Sequence, residues 1–247
     1  MTHLSGKVAL VTGGSRGIGA AIARRLARDG ADVAFTYANA ADKAQTVADD
    51  IRNSSGRRAL ALAADSRDPA AVVDAVDRTA AEFGRLDILV NNAGVFIARP
   101  FEEYSLDDFE LSNAINVRAV FVGSQAAARH MQEGGRIITI GSNLAERVPK
   151  SSITLYAMHK SALVGLTKGM ARDLGARGIT ANVVQPGPTD TDMNPANGPK
   201  ASGSLAFMAL PHYGEGKDIA GLVAFLAGDE GRFVTGAALT IDGGYNA

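Results

Sequence analysis

Cysteine and tryptophan are absent from this 247-residue chain, and histidine occurs only four times. Without thiols there can be no disulfides and no thiolate metal site. The histidines (His3, His130, His159 and His212) show no ligand spacing, so no metal is expected. Neither sign of charge dominates, with a formal net charge of −1. That balance leaves no electrostatic footprint for nucleic acid or an anionic membrane. No apolar run approaches the roughly 18 residues that span a bilayer. The N-terminal VALV run meets a glycine turn after four residues, which is not a secretory pattern. What is present is 46% hydrophobic residues, enough for a substantial core. The expectation is a soluble, cytoplasmic protein with one domain over residues 1–247.

Short apolar runs alternate with longer helical segments. Strands are expected at Lys7–Thr12, Asp32–Tyr37, Arg58–Ala63, Leu86–Asn91, Arg136–Gly141, Thr180–Gln185 and Ala237–Ile241. Most are unbroken, as in VALV and DILV, which suits parallel strands covered on both faces. Helices are expected near 17–29, 40–53, 69–83, 107–131, 154–176 and 217–227, the third opened by Asp68-Pro69. The alternation predicts an α/β doubly wound parallel sheet of about seven strands with helices on both faces. Its ligand site belongs at the carboxyl ends of the strands. The irregular segment at about 186–216, rich in Pro, Gly and Asn, is expected to be a substrate lid.

The first strand runs into TGGSRGIG, Thr12–Gly19, and then a helix. Gly13, Gly17 and Gly19 allow a tight turn and close approach to a pyrophosphate, with Ser15, Arg16 and Ile18 between them. An acid at the end of the second strand would recognise a ribose 2′-hydroxyl, but Phe35–Asn39 offers none. Arg16, aided by Asn39 and the backbone after Tyr37 and Ala38, could instead pair with a 2′-phosphate. NADP(H) is therefore expected in preference to NAD(H). Arg16 in a mere surface ion pair is the bland alternative.

Tyr156 and Lys160 lie four apart in LYAMHKSALVGL, so a helix puts both on one face. An ammonium one turn away favours the phenolate of a group that otherwise titrates near ~10. Ser142 closes the apolar run RIITIGS, where a hydroxyl can meet a substrate oxygen. Tyr213 and Lys217 share the same spacing but lie in a glycine-flanked turn without such a serine. The first pair points to acid/base chemistry between a carbonyl and an alcohol.

With these pieces together, the chain resembles the short-chain dehydrogenase/reductase family from about residue 5 to the C-terminus. TGGSRGIG matches the family's TGxxxGxG and NNAG, Asn91–Gly94, its strand-four motif. Asn116, Ser142, Tyr156 and Lys160 match its Asn-Ser-Tyr-Lys tetrad, and Pro186–Thr191 its nicotinamide-side segment. The resemblance implies a Rossmann-like single domain and a homotetramer joined through the 107–131 and 154–176 helices and the C-terminal strand. It implies Tyr156 as general acid, Lys160 on the nicotinamide ribose, Ser142 on the carbonyl, and Asn116 supporting a water that relays protons. It also implies Asp65 and Ser66 at the adenine, Asn92, Ala93 and Gly94 along the cofactor, and Pro186, Gly187, Thr189 and Thr191 beside the nicotinamide. Read singly, several have plainer roles: Asn116 could bridge a helix kink, and Asn92 and Asp65 could close turns. His159 is expected to pack or face solvent.

Phe96, Ile97, Leu144, Val148 and Met193, with Leu205, Phe207, Met208 and Leu210, are candidates for an apolar substrate pocket. They suggest a ketone or β-ketoester with a hydrophobic flank, although Leu205–Leu210 could simply pack a loop. The resemblance extends to bacterial 3-oxoacyl-carrier-protein reductases, an alternative function. Arg177 fits an acidic carrier, whereas Glu133 would repel one, so a free small carbonyl substrate is favoured. A nucleotide-binding sensor with little turnover is the alternative of another class.

Overall fold

The computed structural model describes residues 4–199 and 201–247, so His3 and Lys200 lie outside the described residues. Seven strands form one parallel sheet in the order β3-β2-β1-β4-β5-β6-β7. They are β1 (Val8–Val11), β2 (Asp32–Tyr37), β3 (Ala59–Ala63), β4 (Ile88–Asn91), β5 (Arg136–Ile140), β6 (Thr180–Pro186) and β7 (Ala238–Ile241). Each lies within two residues of its expected place, β4 starting at Ile88 rather than Leu86. The apolar runs are unbroken because both faces are covered, and period 2 decides which face each residue serves. Ile88 and Val90 join Phe35, Ile138 and Val223 in one core, while Leu89 between them joins Leu10, Val76 and Ile137 in the other.

On the first face lie α1 (Gly17–Arg28), α2 (Ala41–Ser55) and α8 (Gly216–Ala227); α3 (Pro69–Phe83), α5 (Ala119–His130) and α6 (Thr154–Gly175) cover the second. The strand order reverses between β1 and β4, which opens a crevice at their carboxyl ends. The segment after β6 carries the short helix α7 (Ala201–Leu205) and is tied back by a bridge between Thr189 and Gly214. Its residues Phe207–Leu210 pack on the C-terminal turn: Ala209 and Leu210 N–H donate to Gly243 O, and Phe207 lies 5.5 Å from Tyr245 between ring centroids. Loop packing thus accounts for much of Leu205–Leu210.

One expected element divides. The single helix over 107–131 is instead α4 (Leu106–Asn113), a π-turn at Ala114–Arg118, and α5. The cause lies in the side chain of Asn116. Its Oδ1 accepts from Val95 N–H at 3.0 Å and its Nδ2 donates to Val95 O at 2.9 Å. Holding that residue against the loop after β4 widens the helix locally, and π-turns of this kind cluster at functional sites.

At the start of α3, Asp68 Oδ1 accepts from Ala70 N–H at 2.8 Å with Pro69 in the first turn. Asp68→Ala should cost about 1 kcal/mol of stability, read as a lower urea midpoint with unchanged slope.

Candidate active site and cofactor cleft

The loop after β1 is held against the loop after β4. Gly13 has φ +66°, and a Cβ on Gly19 would collide with Gly13 O and stand 2.5 Å from Asn92 Nδ2. α1 starts immediately afterwards without a side-chain cap and without an acid in its first turn. Its free amide groups and positive end therefore face the crevice, a ready seat for a phosphate. Ser15, Arg16, Gly17 and Ile18 lie at this turn, where the residues present fit a dinucleotide pyrophosphate.

Thr36 anchors the loop from β2: its Oγ1 accepts from Gly13 N–H at 3.0 Å and its carbonyl from Gly14 N–H at 2.9 Å. Tyr37, Ala38 and Asn39 follow, with no carboxylate among them. Arg16 Nη1 stands 3.8 Å from Asp192 Oδ2, and Lys43 Nζ donates to the same oxygen at 3.1 Å. The two cations border a cavity of about 400 Å³ beside Ser15 and Gly17. Lys43 did not figure in the sequence reading. Its signal was legible, a lysine in the first turn of the helix that follows a strand with no acid at its carboxyl end. The same loop brings Thr191 to the cleft, its Cγ2 3.5 Å from where a Cβ on Gly17 would be. Pro186 ends β6, Gly187 N–H donates to Ile241 O at 3.0 Å, and Thr189 Oγ1 donates to Gly187 O at 3.0 Å.

Asp65 and Ser66 lie just beyond β3. The Arg67 guanidinium and N–H bond the Asp65 carboxyl and hold it below the usual carboxylate range. That turn-closing role is what the plainer reading of Asp65 foresaw. Asn92 likewise does more than turn the chain: its Nδ2 donates to Thr12 O at 2.9 Å and Gly13 O at 3.1 Å. Ala93 N–H donates to Thr12 Oγ1, and Gly94 passes Asn116 and Lys160 so closely that a Cβ would stand 3.1 Å from Asn116 Oδ1 and 3.7 Å from Lys160 Nζ.

Asn116, Ser142, Tyr156 and Lys160 converge at the carboxyl ends of β4 and β5. Three of them are buried, and Tyr156 keeps partial exposure. Ser142 Oγ accepts from Leu144 N–H at 3.2 Å. Lys160 Nζ donates to Ile140 O at 2.9 Å and lies 5.6 Å from the Tyr156 ring centroid. The expected lowering of the tyrosine by this lysine is not what the structure shows. Desolvation pushes Tyr156 up to about 12, partly offset by a hydrogen bond with Ser142, and the same burial pushes Lys160 down to about 8. Burial outweighs pairing because the nitrogen is spent on a backbone carbonyl and no direct bond joins it to the phenol. Tyr156 is thus firmly protonated, in the state of a proton donor.

Phe96 packs edge-on against Tyr156 with ring centroids 4.9 Å apart. Leu144 is half-buried beside Ser142, whereas Val148 and Met193 are exposed. His159 is buried, as the packing alternative foresaw. Among the described residues there is no group of three or more side chains that could hold a metal, and no helix is long and apolar enough to cross a membrane.

A switch-point crevice with an uncapped glycine-loop helix at one end and a half-buried tyrosine beside a buried lysine at the other defines a dinucleotide-dependent oxidoreductase. Residues 13–246 match the family model described as enoyl-(acyl carrier protein) reductase. The chain belongs to the short-chain dehydrogenase/reductase family. It is 48% identical over the full length of both chains to the cyclic-di-GMP-binding biofilm dispersal mediator protein of Escherichia coli (strain K12). It superposes with a TM-score of 0.98 on a short chain dehydrogenase from Burkholderia cenocepacia J2315 in complex with NADP, 60% identical, over 99% of this chain and 100% of that one. A blue fluorescent protein from a metagenomic library, in complex with NADPH, is also 60% identical, with a TM-score of 0.97 over 99% of this chain and 100% of that one.

Burying Lys160 has a measurable consequence. Its folded value of about 8 lies below the ordinary 10.5, so between those values the unfolded chain holds more protons and stability rises with pH. Lys160→Met should therefore raise the unfolding free energy of the cofactor-free protein by more at pH 7 than at pH 10. Urea titrations at the two pH values check this.

Proposed function

We propose that this chain is an NADP(H)-dependent carbonyl reductase or alcohol dehydrogenase, acting on a free ketone or β-ketoester. The observation that carries the reading is the convergence of Ser142, Tyr156 and Lys160 at the carboxyl ends of β4 and β5, with Ser142 and Lys160 buried and Lys160 Nζ 5.6 Å from the Tyr156 ring centroid. NADPH, when bound, supplies the hydride. Ser142 hydrogen-bonds the substrate carbonyl and polarises it, and Tyr156 gives its proton to that oxygen. Lys160 holds the nicotinamide ribose, and its charge in the completed site draws the phenol's value down for turnover. Asn116 supports proton return toward Lys160. Gly13, Ser15, Arg16, Gly17, Ile18 and Gly19 cradle the pyrophosphate and 2′-phosphate, with Tyr37, Ala38, Asn39, Asp65 and Ser66 around the adenosine. Asn92, Ala93, Gly94, Pro186, Gly187, Thr189 and Thr191 line the nicotinamide end. Leu144 and Val148 after β5, with Met193 on the lid segment, border the substrate.

The 3-oxoacyl-carrier-protein alternative is weakened. Exposed Glu133 would repel an acidic carrier, although Arg177, whose Nη2 donates to Ala128 O at 2.6 Å and Met131 O at 2.9 Å, also stays exposed and charged. A nucleotide-binding sensor is the second reading, favoured by the 48% identity to a cyclic-di-GMP-binding protein. Phe109, Phe121 and Met158, apolar and exposed on α4, α5 and α6, support assembly as a homotetramer.

Absorbance at 340 nm with a panel of ketones and β-ketoesters should show oxidation of NADPH faster than of NADH. Tyr156→Phe should lower kcat by about a thousandfold or more while NADPH still binds. NADPH binding that responds to cyclic di-GMP, with no turnover on any carbonyl, would favour the sensor instead. Arg16→Ala should raise the KM for NADPH about tenfold and leave that for NADH nearly unchanged, consistent with one lost charge-assisted pair of ~1.4 kcal/mol or more.

A further inference from the structure

Ser112, Asn116 and His159 form a hydrogen-bonded chain of which the reaction as described uses only Asn116. All three are buried. Asn116 Nδ2 donates to Ser112 Oγ at 3.0 Å, and Ser112 Oγ lies 2.9 Å from His159 Nδ1. The remaining ring nitrogen, Nε2, is buried and has no partner among the described residues, and Phe109 packs on the ring with centroids 5.6 Å apart.

The direction of the protons follows from counting donors. Ser112 Oγ already receives an N–H from Asn116, so its own proton needs an acceptor, and no backbone carbonyl among the described residues takes it. His159 Nδ1 stands in place for it, which puts the ring proton on Nε2. An unmade buried donor costs about 1–3 kcal/mol, a penalty that an apolar residue in this place would not carry. The compensation lies at Asn116. With Nδ2 drawn to Ser112 and Val95 O, Oδ1 must face Val95 N–H, and the carboxamide has one orientation. That orientation fixes the loop carrying Gly94 against Lys160.

We propose that Ser112 and His159 are positioning residues that lock the Asn116 carboxamide, and through it the Asn92–Val95 loop, in the geometry turnover requires. The proposal rests on the carbonyl-reductase reading for its kinetic consequence, and on hydrogen bonding alone for its spectroscopic one. Ser112→Ala and His159→Leu should each lower kcat about ten- to a hundredfold, as small misplacements do, with the KM for NADPH changed less than twofold. The double variant should be no worse than either single one, and neither change should matter further in an Asn116→Ala background. His159→Asn, whose side-chain oxygen takes the place of Nδ1, should restore most of kcat. Lowered thermal stability with wild-type kcat, or no recovery in a well-folded His159→Asn, overturns the proposal.

A second measurement judges it whether or not any carbonyl is reduced. Two-bond ¹H–¹⁵N correlations of the full-length protein should show His159 as the neutral Nε2–H tautomer. Exchange of the Asn116 side-chain amide should quicken at least tenfold in Ser112→Ala. An Nδ1–H tautomer, or unchanged exchange, refutes the locking chain. Absence of turnover beside the expected spectra would count against the reductase reading alone.

Discussion

Between the carboxyl ends of β1 and β4, Asn92 and Ala93 reach back to Thr12 and Gly13. Asn92 N–H and Ala93 N–H both donate to Thr12 Oγ1, at 2.9 and 3.0 Å, and Asn92 Nδ2 donates to the carbonyls of Thr12 and Gly13. This clasp stands where the strand order reverses, and there the two halves of the sheet would otherwise splay their loops apart. Each bond contributes only about 0.5–1.5 kcal/mol net, but together they set which way the glycine loop opens. A side chain at Gly19 would drive the loop and Asn92 apart. The glycine there is required by distance rather than by an unusual φ.

From the clasp the rest of the crevice follows. α1 is aimed with its uncapped end into the cleft because its first residues are pressed against Gly13. The segment after Asn92 is carried past Asn116, whose carboxamide seizes Val95 and widens the α4–α5 helix into a π-turn. Gly94 is thereby laid beside Lys160 of α6, an approach that depends on β4 and β5 being neighbours. Cofactor seat and reacting group are therefore two ends of one hydrogen-bonded path.

Seven strands and most helices were legible because parallel strands buried on both faces leave unbroken apolar runs, and VALV or DILV needs no tertiary knowledge to be read. The tetrad was legible by residue type and order. Three features were not. The π-turn depends on Asn116 meeting a loop 21 residues away in sequence, which no helical periodicity records. The tyrosine's direction in the cofactor-free protein depends on how deeply the site is buried, which spacing alone does not record. The bonds by which Arg177 closes the end of α5, to Ala128 O and Met131 O, are tertiary contacts that its place in the sequence does not record.

The two ends of the sheet treat polarity differently. At the amino ends, Asp87 draws on Arg85 at 2.6 Å and Lys7 at 3.5 Å, cations that retain solvent contact, so the charge is paired at little desolvation cost. At the carboxyl ends Asn116, Ser142, His159 and Lys160 are buried, and among the described residues Lys160 meets only a backbone carbonyl as its hydrogen-bond acceptor. Apolar residues of the same volume would make that end more stable, since an uncompensated buried cation costs more than one carbonyl returns. A fold selected for stability alone would not place its least compensated groups where the sheet is best covered. Their concentration along one crevice, beside a helix start left uncapped, marks the place where stability has been given up for chemistry.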